Sequence, residues 1–273
     1  MTASARPHVL SDLTWPASAS SPFDVVVLPW GATEPHNRHL PHGTDTLVTE
    51  AVAAESARRA TARGARVVVL PAIPFGVQTT QRDLALAINL NPSTQLAMLC
   101  DIARSLDGHG VKKLVLLNGH GGNDFRALIR ELVPETRLHL SLVNWWQVED
   151  ARPYFAEPGD HAGELETSVM LHLAPDLVRP LDEAGPGRAR TASIPALRDG
   201  WAWAPRPWSA VTDDTGVGDP RQATAASGQR FFNVVCDKIA EYLAQLAACD
   251  PVKLYTDTGA PSGGAPTNAD DKG

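Results

Sequence analysis

Two carboxylates and three histidines fall within one short stretch, Glu34-Pro35-His36-Asn37-Arg38-His39-Leu40-Pro41-His42-Gly43-Thr44-Asp45. Imidazole nitrogen and carboxylate oxygen are the donors that Zn²⁺, Mn²⁺ or Fe²⁺ take, with positions left open for water or substrate. Glu34 and His36, two apart in an extended segment, can point the same way, and Asp45 returns after a tight turn. A second cluster, Gly119-His120-Gly121-Gly122-Asn123, sets His120 among small neighbours that leave room for a ligand. A third, Asp160-His161-Ala162-Gly163-Glu164-Leu165-Glu166-Thr167-Ser168, stands at the expected start of a helix. Each cluster also has an ordinary reading. An isolated Glu-x-His is usually a solvated pair, a Gly-His-Gly-Gly turn can be an anion-binding nest, and His161 alone can cap or pack. Together, at the ends of expected strands, they put a metal site on a par with those readings.

The elements that must position these residues follow from hydrophobic patterning. Four short apolar, β-branched runs, at 24–29, 65–71, 113–118 and 138–144, are nearly continuous, as suits parallel strands buried on both faces. Between strands, Leu96, Leu99, Ala103 and Leu106 form one helical stripe and Phe125, Leu128, Ile129 and Leu132 another. Phe231, Val235, Ile239, Tyr242 and Leu246 mark a long amphipathic helix expected to cover the sheet. The expected fold is α/β, three layers with a mainly parallel sheet between helices. A single domain over 23–250 is expected, preceded by an arm at 1–22 and followed by a Gly/Pro/Ser-rich disordered tail at 251–273. Residues 180–220 lack periodicity and carry Trp201, Trp203 and Trp208, which reads as a functional loop, lid or subunit contact. Ligands of open parallel sheets bind beyond the carboxyl ends of the strands, and the first two clusters directly follow the runs at 24–29 and 113–118.

Composition removes several classes. At 273 residues, 43% hydrophobic and 20% charged, the chain can bury a full core. A net charge of −7 and no basic run argue against nucleic acid or anionic membrane as partner. No apolar run approaches a membrane span, and residues 1–21 show no secretory h-region. Cys100, Cys236 and Cys249 are an odd count without CxxC spacing, expected as reduced thiols of a cytoplasmic protein. A nucleotide-binding fold is disfavoured by the missing GxGxxG and GK[ST] patterns.

In their order and spacing, the clusters resemble the creatininase (creatinine amidohydrolase) family. The stretches that carry the likeness are Pro29-Trp30-Gly31-Ala32-Thr33-Glu34-Pro35-His36, His39-Leu40-Pro41, Thr44-Asp45, Asn118-Gly119-His120-Gly121-Gly122-Asn123 and His161-Ala162-Gly163-Glu164-Leu165-Glu166-Thr167-Ser168. Thr215-Gly216-Val217-Gly218-Asp219-Pro220 matches more weakly. The resemblance implies two divalent ions per chain, Zn, Mn or Fe. Glu34, Asp45 and His120 would hold one, and His36 and a bridging Asp45 the other. Creatininase has a further Glu ligand where this chain has Gly122, so a substitute is required: Glu166 first, Glu164 second. The resemblance also implies His161 as the acid–base group, tuned by Asp160, and a homo-oligomer, often a hexamer. Two ions about 3.5–4 Å apart can share a hydroxide and aim it at an amide-like carbon.

Departures from creatininase proper concern substrate contacts. Gly121-Gly122 replaces Tyr-Glu, Glu157-Pro158 stands where a Trp-Asp pair is usual, Asn37-Arg38 replaces Gly-Pro, and residues 75–83 lack the usual Ser/His content. A member other than creatininase is therefore expected, cleaving a non-peptide C–N bond (a cyclic amide or formamide) of a small molecule. A catalytically silent subunit that binds metal or a small molecule is the alternative. Gln78, Gln81, Arg82 and Arg38 are candidates to touch a polar substrate group, although ordinary loop-surface placement is the stronger expectation for them. Trp145 and Trp146 could line the pocket or pack in the core. His39 and His42 are expected to support the ligands and not join them.

Overall fold

Valine-rich runs with no polar alternation have only one stable placement, between two layers of helix. The computed structural model describes residues 6–19 and 22–255. In it the strands are β1 (Val25–Trp30), β2 (Val67–Val69), β3 (Lys113–Asn118) and β4 (His139–Asn144). They form one parallel sheet in the order β2-β1-β3-β4. The helices are α1 (Trp15–Ala19), α2 (Thr44–Ala62), α3 (Pro92–Gly108), α4 (Phe125–Leu132), α5 (Glu164–Leu173), α6 (Pro195–Arg198), α7 (Trp208–Val211) and α8 (Ala225–Ala248). The expected α/β fold with its parallel sheet is thus what the chain adopts.

Alternate strand residues feed two separate cores. Val25, Val27, Val115 and Leu117 face α2, α5 and α8, packing on Val52, Met170, Phe231 and Val235. Val26, Leu28, Trp30, Leu114 and Leu116 face α3 and α4, against Leu99, Ala103, Phe125 and Leu128. Lys113 is buried at the start of β3, and its Nζ donates to the carbonyls of Leu246 (2.6 Å) and Ala247 (2.9 Å). That contact satisfies the last turn of α8 with a cation and ties its end to the sheet. On α8 the buried face includes Leu243, and Tyr242 stands beside it, half-buried, with its hydroxyl on Ser141.

The α2 helix has no counterpart among the helical stripes read from the sequence. Its buried face is Val48, Thr49, Val52, Ala53, Ser56, Ala57 and Ala60, mostly small or polar residues. At the N-terminal edge, Val69 donates to the His8 carbonyl at 2.9 Å, so the segment before α1 runs beside β2. Pro251–Lys253 forms a helical turn, and the remainder of the expected tail, from residue 256, lies outside the described residues. Within 180–220, Trp208 is buried whereas Trp201 and Trp203 are exposed.

Candidate metal centre

Where β1 and β3 end, two short loops turn inward and their polar side chains meet. Glu34, His36, Asp45, His120 and His161 are all buried. Backbone carbonyls set the histidine tautomers, because a carbonyl can only accept. His36 donates from Nδ1 to the Glu34 carbonyl (3.0 Å), so Nε2 is the nitrogen that faces Asp45 Oδ1, also at 3.0 Å, and is the one that could turn a lone pair to a metal. His120 donates from Nε2 to the Val77 carbonyl (3.1 Å), so Nδ1 is the nitrogen turned to the carboxylates, 2.9 Å from Glu34 Oε1 and 3.1 Å from Asp45 Oδ2. Glu166 is steered by the Ala162 amide, which donates to Oε2 at 2.6 Å.

Two donor sets result, Glu34/Asp45/His120 and His36/Asp45/Glu166, each with its atoms within 4.8 Å of one another and both using Asp45. Glu34, His36 and His161 form a third such group. Donor–donor separations near 3 Å are what ligands about 2.0–2.2 Å from a common ion would show. The electrostatics fit the same group. Burial would depress the basicity of His36, yet Asp45 outweighs it and carries the ring up to about 10. Burial likewise opposes, and Glu34 and Asp45 overcome, the shift that raises His120 well above its usual value. Burial acts to raise the Glu34 carboxyl, but the facing His120 and His161 hold it well below the usual range, while burial raises Glu166. The carboxylates therefore demand positive charge at those nitrogens, which protons or a divalent cation would supply. Oδ2 of Asp45 is a buried oxygen with no aligned hydrogen-bond partner, a second mark of a site that could hold a metal.

The glycines of the His120 turn are steric requirements. A Cβ on Gly119 would lie 1.7 Å from Thr49 Oγ1, so glycine lets the first turns of α2, which carry Asp45, approach β3. A Cβ on Gly122 would meet His120 Nε2 at 2.4 Å and the Val77 carbonyl at 2.5 Å, the two partners of the bond that fixes the His120 tautomer. Asn123 accepts from the Val77 amide (3.0 Å) and from Gln95 (2.9 Å), and it donates to Asn118 Oδ1 (3.1 Å), which itself accepts from the His120 amide. This buried network holds the turn. Left-handed backbone at Asn37 (φ 54°), Ala162 (φ 50°) and Thr215 (φ 67°) gathers around the same centre, where such strain is commonly kept for function.

His161 presents Nδ1 3.7 Å from Glu34 Oε1, because its Nε2 donates to the Pro35 carbonyl at 2.8 Å. Its ring lies 4.2 Å from that of His36 and meets Trp208 edge-on at 5.3 Å. The expectation for Asp160 is corrected here. Its carboxylate pairs with Arg206 at 2.8 Å on the surface, and the Pro35 carbonyl, not Asp160, orients His161. Glu164 turns away, accepting from the Glu157 amide at 2.9 Å, which leaves Glu166 as the carboxylate that joins the cluster. His39 binds Thr167 Oγ1 (2.8 Å), linking the first loop to α5, with burial pulling its ring down to about 4. The His42 ring meets the Ala85 carbonyl at 3.3 Å, and its backbone carbonyl accepts from the Glu34 amide at 3.2 Å. Trp145 is buried in the core with Trp146 packed against it.

Gln78 and Gln81 are buried, and Gln81 donates from Nε2 to Glu34 Oε2; Arg38 and Arg82 are exposed. The supports that residue typing missed are the Val77 and Pro35 carbonyls and the ring of Trp208. Backbone acceptors leave no trace in residue identity, and Trp208 is distant in sequence from its partner.

A family model described as creatinine amidohydrolase matches residues 11–243. The chain is 31% identical over 251 residues to the mycofactocin precursor peptide peptidase of Mycobacterium ulcerans (strain Agy99), covering 88% of this chain and 93% of that one. A crystal structure from Bacteroides fragilis NCTC 9343, solved as a candidate creatinine amidohydrolase, superposes with a TM-score of 0.87 at 41% identity, over 92% of this chain and 99% of that one. A creatininase structure with Mn gives a TM-score of 0.71 at 25% identity, over 87% and 98% of the two chains.

Proposed function

Because this chain belongs to the creatininase family of hydrolases, we propose that it is a metal-dependent enzyme that hydrolyses the C–N bond of an amide. The observation that carries this reading is the pair of donor sets that share Asp45 at the carboxyl edge of the sheet. Glu34, Asp45 and His120 would hold one ion, and His36, Asp45 and Glu166 the other. Creatininase structures carry Mn or Zn, and nitrogen–oxygen donors suit Zn, Mn or Fe. When bound, such a pair supplies Lewis acidity: it polarises a carbonyl and makes water a nucleophile near neutral pH.

The chain's own residues do the rest. Glu34 and Asp45 fix the charge of the centre, and the Val77 and Glu34 carbonyls hold His120 and His36 with the correct nitrogen inward. His161, held by the Pro35 carbonyl, offers Nδ1 to the centre and is the group that moves a proton to the departing nitrogen. Burial of all these groups excludes bulk water and strengthens each interaction.

A peptide-like amide is the substrate class we favour. The M. ulcerans relative is named a peptidase and aligns over nearly its whole length, and the residues expected to contact creatinine are replaced. A small cyclic amide or formamide is the second reading, supported by how deeply the donors are buried, with His36 at 0% and Glu34 at 1% exposure. The test is a screen of Mn- or Zn-loaded protein against peptides, lactams, cyclic ureides and formamides, read as released amine. Chelator-sensitive release is expected. A protein that binds metal and releases amine from none of these classes would be the catalytically silent member instead.

Three unpaired cysteines support a reducing, cytoplasmic setting, and no helix of the described residues is long and apolar enough to cross a membrane. Exposed Ile194, Trp201 and Trp203 offer a surface for self-association into a homo-oligomer, which light scattering would measure. Residues 23–250 are proposed as one folding unit.

A further inference from the structure

Residues 78–81 form a turn, closed by the Gln81 amide donating to the Gln78 carbonyl at 3.1 Å, that carries two glutamine side chains into buried positions. Gln81 is 4% exposed and Gln78 2%. A carboxylate can only accept, so the amide of Gln81 must present Nε2 to Glu34 Oε2, and its Oε1 orientation follows. That Oε1 is buried and has no hydrogen-bond partner; on Gln78 the same is true of Nε2. Burying an amide oxygen unpaired is unfavourable, because the water bonds it loses are not replaced. A neutral side chain that spends half its amide on a metal-site carboxylate and leaves the other half unpaired calls for an explanation.

We propose that Gln81 has two linked roles: it positions Glu34, and its Oε1 accepts an N–H of the substrate beside the bond to be cleaved. This rests on the amide-hydrolase reading and adds a specificity element to it. By holding Oε2, Gln81 aims Oε1 of Glu34 at His120 Nδ1, 2.9 Å away, and so toward the shared centre. The free acceptor then favours a secondary amide, which has an N–H, over a tertiary amide, which has none. A hydrogen bond to an otherwise unpaired buried acceptor discriminates more sharply than a change in apolar bulk. None of the other buried side chains that line the turn offers both a bond to a proposed ligand and a spare acceptor, among the described residues.

The test uses Mn²⁺-loaded full-length protein and two chelating probes that differ by one methyl group, acetohydroxamic acid and N-methylacetohydroxamic acid. Calorimetry gives the ratio of their affinities. Wild type is expected to prefer the N–H compound, and Gln81→Met, which keeps the bulk and removes both polar atoms, is expected to reduce that ratio about tenfold. The Mn²⁺ affinity of the same variant should fall about tenfold or more, as for loss of a group that orients a ligand. Should Gln81→Met fail to fold, Gln81→Asn withdraws the amide by one methylene and should show the same two losses. An affinity ratio unchanged between wild type and either variant overturns the substrate role, and unchanged Mn²⁺ affinity overturns the positioning role. If wild type itself binds no Mn²⁺, the metal-enzyme reading fails first, and this inference with it.

Discussion

The floor of the candidate site and its rim are built on different principles. On the floor, Glu34, His36, Asp45 and His120 leave the ends of β1 and β3 or the first turn of α2, all are buried, and each imidazole is oriented by a backbone carbonyl. The rim comes from residues 157–160 and 180–220. Part of it is anchored: Asn37 exchanges two hydrogen bonds with Gly185, Val217 pairs with His161, and the Trp208 amide donates to the Thr80 carbonyl. Its crest, from Ile194 through Trp203 to the Asp160–Arg206 ion pair, is exposed. Such a division would put the chemistry on the ends of regular elements and leave partner choice to a loop that can vary without loosening the proposed ligands.

That contrast can be broken most severely at the residue shared by both donor sets. Asp45→Ala should abolish binding of both ions and lower amide hydrolysis on the order of 10³-fold or more, with metal content measured by plasma mass spectrometry. Retention of two ions would show that Asp45 is not their common ligand. His161→Gln should lower kcat by about 10²–10⁴-fold while KM and metal content stay near wild type; loss of metal instead would make His161 a ligand. Gly122→Ala places a methyl group against the His120–Val77 bond, so metal affinity should weaken about 10–100-fold in a titration. An unchanged affinity would mean that the His120 tautomer needs no such support. The smallest effect is expected on the rim. Arg206→Ala frees Asp160 and removes the guanidinium 5.1 Å above Trp208, and kcat/KM should change by less than about tenfold, with both ions kept, since exposed ion pairs contribute roughly 0–1 kcal/mol.

The same division governs what could be read from residue order. The strands were legible because continuous Val and Leu runs allow little else, and the candidate donors Glu34, His36, Asp45 and His120 because they follow the ends of two of those runs. Glu166 could be preferred over Glu164 only through a matched motif; two residues apart at the start of α5, they point to different neighbours, Glu164 to the Glu157 amide and Glu166 to that of Ala162. Helix α2 escaped because its buried face is built from alanine, threonine, serine and valine, with no stripe of large residues. Asp160 looked like a partner of its neighbour His161, but adjacent side chains diverge there, and its true partner, Arg206, is 46 residues away. Gln81 was a candidate for a substrate contact, but its bond to Glu34 offered no signal, since nothing in residue type tells a surface amide from one buried against a carboxylate.

Anomalous diffraction from crystals soaked in Mn²⁺ tests the central claim most directly. Two peaks are predicted, one among Glu34, Asp45 and His120 and one among His36, Asp45 and Glu166, with Asp45 touching both. Strong Mn²⁺ peaks elsewhere and none at Asp45, in protein that binds Mn²⁺ in solution, would contradict it.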